Sequence, residues 1–84
     1  MRREVSKAIV RLLKVTRDGV YIDAMEIAEL IGNNSRNFVR SIAKVLSELE
    51  DKGLLTKIYG RTPSDSVYFV SKSMMERFKR ILRG

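Results

Sequence analysis

The stretch NNSRNFVRSIAKVLSELEDKGLL, residues 33–55, decides how this chain folds. It opens on a polar turn, Asn33-Asn34-Ser35, whose Asn or Ser side chains suit the N-cap of a helix. On a helical wheel Phe38, Ile42, Val45, Leu46 and Leu49 then fill one continuous arc, which must face a core. A helix is predicted over residues 34–52, with Gly53 as its C-terminal stop. The opposite arc is left to solvent. It carries Arg36, Asn37, Arg40, Ser41 and Lys44 in its first turns and Glu48 and Asp51 in its last, with Glu50 nearby.

Upstream, Asp23 stands three residues before Glu26 in the pattern of a capping box. This predicts a second helix over residues 23–31, with Ile27, Leu30 and Ile31 turned inward and Gly32 ending it. Two helices joined by so short a turn must cross. Ahead of them, Asp18-Gly19 marks a turn, and Val20-Tyr21-Ile22 has room for one brief extended segment. A first helix is predicted over residues 2–16, where Val5, Ile9, Leu12 and Leu13 form the apolar stripe and Arg3, Lys7, Arg11 and Lys14 the opposite face.

Downstream, residues 54–59 and 67–70 are β-prone runs separated by the turn formers Gly60 to Ser66. They predict a hairpin over residues 54–70 with a long tip. Ser71 or Ser73 then caps a last helix over residues 72–83, whose Met74, Met75, Phe78, Ile81 and Leu82 recur at helical spacing. Tyr21, Tyr59, Tyr68 and Phe69 fall in or beside strands, where aromatic side chains ordinarily pack.

The fold class read from this order is α+β, mainly α with a small β-hairpin: helix, short strand, helix, helix, two hairpin strands, helix, in one domain over residues 1–84. The run YIDAMEIAELIG, then NNSRNFVRSIAKVLSELEDKGLL, then the hairpin, resembles the winged helix-turn-helix superfamily of bacterial and archaeal transcription regulators. Its most specific part is residues 42–55, where a helix ending in LSELEDKGLL leads straight into a strand. The resemblance implies a sequence-specific binder of double-stranded DNA with a recognition helix over residues 34–52. It also implies a wing whose Lys57, Arg61, Thr62 and Ser64 lie where the family commonly touches the backbone or the minor groove, with Asp65 diluting that charge.

Composition points the same way. Lys and Arg number 17 against 10 Asp and Glu, a formal charge of +7 in 84 residues, and such a surplus calls for a polyanionic partner. The chain has no Cys and no His, which removes thiol nucleophiles, disulfides, zinc fingers and imidazole bases. Glu48, Glu50 and Asp51 belong to a charged helix end rather than to an apolar pocket, so no enzyme activity, metal, cofactor or small-molecule substrate is expected. At 44% hydrophobic and 32% charged residues the chain reads as neither membrane-spanning nor disordered. The opening MRREVSKAIVRLLKV lacks the apolar run and cleavage site of a signal peptide, so a cytoplasmic, nucleoid-associated location is expected.

The third helix is basic at its start and acidic at its end, the reverse of what the helix dipole favours. Phosphates or base edges would supply the missing negative charge, and the N-terminal part of the second helix of such a pair is what enters the major groove. Arg pairs with guanine and Asn with adenine through two hydrogen bonds each, which singles out Arg36, Asn37 and Arg40 as base readers. Lys44 and Ser41 follow along the arc, Lys44 toward phosphate, and the free amides of the turn through Asn34 and Ser35 suit a phosphate as well. The terminal stripe of Met74, Met75, Phe78, Ile81 and Leu82 either closes the monomer core or packs against a second copy. A homodimer presenting two recognition helices is the expectation.

Two other classes share this layout: a module for protein contacts or an accessory subunit of a replication or transcription machine, and a ribosome-like RNA binder. The first calls for exposed apolar residues without a basic arc, the second for a basic tail, and the sequence shows neither.

Overall fold

The longest element is α3, Arg36–Asp51. Its start is set by Ser35, whose hydroxyl accepts from the Phe38 backbone N–H at 3.3 Å, while Asn33 Oδ1 accepts from the Ser35 N–H at 3.1 Å. Val39, Ile42, Ala43, Val45, Leu46 and Leu49 are buried. Phe38, expected in this arc, is only half-buried, and Val39 takes its place. Both lie near the edge of the apolar arc in the first turn, where a small rotation of the helix exchanges them.

The computed structural model describes every residue, Met1–Gly84. Before α3 come α1 (Arg2–Lys14), β1 (Gly19–Ile22) and α2 (Ala24–Ile31). After it come β2 (Thr56–Tyr59), β3 (Val67–Ser71) and α4 (Met75–Arg83), with 3-10 turns at Pro63–Asp65 and Lys72–Met74. The result is an α+β fold of four helices and one antiparallel sheet ordered β1-β3-β2. None of the helices is long and apolar enough to cross a membrane.

The helix ends move in from their expected positions for identifiable reasons. Asp23 is the N-cap of α2, accepting from the Glu26 N–H at 2.8 Å, and Gly32 closes the helix in the left-handed region at φ 97°. Only this arm of the expected capping box forms. Desolvation pushes the Glu26 carboxyl up from its ordinary value, with the charges of Asp23 and Glu29 adding to the effect. α1 ends at Lys14 rather than residue 16, and its C-terminal carbonyls are capped from far away: the Lys72 ammonium donates to the Leu13 carbonyl and, at 3.0 Å, to that of Thr16. A cation at a helix C-terminus is favoured by the dipole and satisfies carbonyls that the helix leaves open.

The sheet stands on the helices. Tyr21 pairs with Phe69 and Thr56 with the same Phe69, while Ile22 pairs with Tyr68 and Val20 with Val70. Alternation puts Ile22, Tyr68 and Val70 into the core and Tyr21 and Phe69 on the outer face, where their rings pack at 5.0 Å. The register shifts between Lys57 and Tyr59, a bulge at Ile58 on an edge strand. Leu54 and Leu55, expected to open the first hairpin strand, are instead buried in the turn after α3.

A cluster of 20 buried residues draws on all four helices and the sheet. Phe78 of α4 is fully buried in it, and Met74, Met75, Ile81 and Leu82 pack against it. This corrects Phe78 as a candidate for a dimer interface: its ring is spent on the monomer core, where α4 packs against α1. Leu30, expected inward, is 37% exposed because only the Ile27 and Ala28 face of α2 reaches the core.

Candidate nucleic-acid interface

Residues 32–35 turn the chain between α2 and α3, and the first half of α3 projects Arg36, Asn37, Arg40, Ser41 and Lys44, all exposed. None of the three cations has a carboxylate within ion-pair distance, and no acid lies in the first turn of α3. The positive end of the helix dipole adds to them, so this end of α3 is an electropositive surface that the chain itself leaves unneutralised. Farther along, Glu48 is held by Arg2 of α1 at 3.3 Å.

Two hydroxyls in this region are already committed. Ser35 caps α3, and Ser41 Oγ donates to the Asn37 carbonyl at 3.1 Å. Asn34, Arg36, Asn37, Arg40 and Lys44 make no side-chain hydrogen bond within the chain, so the fold leaves their donors unused.

The hairpin tip is a built structure rather than a loose loop. Thr62 donates to Asp65 Oδ1 from both its backbone N–H, at 2.8 Å, and its hydroxyl, at 3.0 Å, and Ser66 Oγ donates to the Thr62 carbonyl at 2.6 Å. These bonds, led by the Thr62 N–H, hold the Asp65 carboxyl below its ordinary value. Gly60 makes the closure possible, since at φ 129° it lies against Ser66 where a Cβ would collide. The sequence signal was Thr62-Pro63-x-Asp65, a cap residue, a proline at the first helical position and an acid three residues on.

The turn Pro63–Asp65 packs against α3 and α2. Ser64 and Arg40 therefore border two hollows at once. One is completed by Met25, Asn34, Arg36 and Val39, and the other by Ser41, Ala43, Lys44, Ser47, Glu48 and Pro63. The structure thus brings Asn34, Arg36, Arg40, Ser41 and Lys44 together around the tip. Arg61 and Thr62 enter the tip, and Lys57 lies on the edge strand, exposed and without an acid partner. Met25 joins the site through folding alone, since no local pattern places it beside Arg40, whereas Ser47 follows Arg40 and Lys44 at helical spacing and Ser64 comes from the wing.

α2 supplies no cation. Its Asp23, Glu26 and Glu29 make the flank of the site acidic on that side. Neither a family model, a curated protein nor a solved structure matches this chain.

Proposed function

We propose that the chain is a winged helix domain that binds double-stranded DNA, setting the first turns of α3 into the major groove with the β2–β3 hairpin beside it as the wing. The observation that carries this reading is the unpaired trio Arg36, Arg40 and Lys44 with Asn37, exposed together on the first half of a helix reached by a tight turn from α2, with Arg36 and Asn37 at its dipole-positive end. An α-helix fits the major groove of B-form DNA, where Arg and Asn distinguish bases. Arg36, Asn37 and Arg40 are assigned to base edges, and Lys44, Lys57 and Arg61 to phosphates. Asn34, beside the amides at the start of α3, holds a backbone phosphate there. Ser35, Ser41 and Thr62 position these groups through their internal hydrogen bonds. Control of transcription is the role this chemistry serves.

A titration of duplex DNA, single-stranded DNA and duplex RNA across a salt series tests the reading. Tightest binding to B-form duplex, with an affinity that falls steeply as salt rises, is the expected result. Equal affinity for all three polymers, or preference for duplex RNA, whose deep and narrow major groove excludes a helix, would overturn it.

A further inference from the structure

The surplus charge does not sit where α3 meets its ligand. α1 and α4 together carry nine of the 17 Lys and Arg and only two of the 10 Asp and Glu, so the rest of the chain, α3 and the hairpin included, is formally neutral. α1 and α4 pack against each other. Their apolar faces, Val5, Ile9 and Leu13 on one and Phe78 on the other, are buried. What remains outside is Lys7, Arg11 and Lys14 on α1 and Arg77, Arg80 and Arg83 on α4, all exposed and none paired with an acid. The acids of these helices are spoken for, Glu4 by the N-terminal amine at 2.9 Å and Glu76 by Lys79 at 3.7 Å.

We propose that this outer surface of α1 and α4 is a second nucleic-acid contact, gripping the phosphate backbone of duplex DNA without reading its sequence. Six uncompensated cations spaced a turn or less apart repel one another and are relieved by a linear polyanion. A bilayer is a poor occupant, because a membrane-surface helix inserts an apolar face and both apolar faces here are already in the core. The Lys and Arg heads outnumber the two exposed carboxylates of these helices, Glu4 and Glu76, and they suit phosphates rather than base edges. The α3 reading enters only in identifying the polymer and in supplying the first duplex. With both faces occupied, one chain bridges two duplexes.

The test uses four full-length proteins: the parent, R36A/R40A, K7A/R11A/R77A/R80A, and the combination. All substituted side chains are exposed, and a thermal midpoint near the parent's verifies folding; K7A/R11A and R77A/R80A made separately serve if the fourfold variant melts early. Each protein is titrated with a duplex of random sequence and assayed for capture of a fluorescent duplex onto an immobilised one. The expected result is that the α1–α4 variant loses about tenfold or more in affinity for the random duplex and stops capturing the second duplex. Such a loss in the α1–α4 variant upholds this surface, and an R36A/R40A variant that still selects the parent's preferred sequence as tightly as the parent sinks the α3 reading alone. Parent-like random-duplex binding by the α1–α4 variant overturns the proposal. So does capture that survives in it, which would mean two copies of the chain each holding a duplex through α3. Tighter parental binding to duplex RNA or to phosphatidylglycerol vesicles than to duplex DNA overturns it too.

Discussion

The Arg3 guanidinium donates a 2.7 Å hydrogen bond from Nη1 to the carbonyl of Leu82, joining the first turn of α1 to the last turn of α4 across 79 positions. Together with the burial of Phe78, it makes α4 a structural member of the monomer. A domain of this size has only roughly 4–13 kcal/mol of stability, and removing a buried Phe costs about 3–5 kcal/mol. Phe78→Ala is therefore expected to consume much of the margin, and deletion after Ser71 to unfold the chain. Circular dichroism melting checks both. A truncated chain that stayed folded with a cooperative transition would show that α4 is dispensable to the core.

Ser6 should behave in the opposite sense. It is completely buried on α1, and its hydroxyl has no hydrogen-bond partner. An unsatisfied buried hydroxyl costs on the order of 1–3 kcal/mol, and Ala is also the better helix former. Ser6→Ala is expected to stabilise the protein by about 1 kcal/mol, read as a higher urea midpoint at unchanged slope. A lower midpoint would mean that the hydroxyl has a partner in solution.

Arg40 borders both hollows beside the hairpin tip yet makes no ion pair, so its contribution to folding is small. Arg40→Ala should lose about 1–3 kcal/mol of specific duplex binding while the thermal midpoint stays within a degree or two of the parent's. Fluorescence anisotropy at matched salt decides the matter. Undiminished affinity for the preferred sequence would remove Arg40 from the site.

Asp65 makes the hairpin tip sensitive to acid. Its folded-state pKa is depressed, chiefly by the Thr62 N–H, so the stabilisation it supplies is fully present above the ordinary carboxylate range and is lost as pH falls through the lower, folded value. NMR titration should show the Thr62 amide shifting with that depressed midpoint, and Asp65→Asn should abolish the shift. The same substitution should loosen the tip against α3 without unfolding the core, since all residues from Arg61 to Asp65 are exposed. A Thr62 amide that titrated at the ordinary aspartate value would dissociate the tip closure from Asp65.

The element order, the cap at Ser35, the stop at Gly32 and the exposed basic arc of α3 were all legible in the chain, because each rests on residues within one or two turns of one another. Periodicity reports which face of a helix is buried but not what buries it. Phe78 therefore reads as a monomer core or a partner surface in the sequence, and only the docking of α4 on α1 shows its ring inside the monomer. Lys72 capping α1, Arg3 reaching Leu82, and the tip closing over Arg40 join positions far apart in sequence. Charge position shows the same division. The chain's surplus of +7 was countable from composition, but only the packing of α1 on α4 brought its bulk together on one helix pair. Local propensities and caps determine which elements form, since their partners are near in the chain. Which side chains share a surface depends on how those elements dock, and docking is set by complementary shape and burial between segments that carry no mark of each other in sequence.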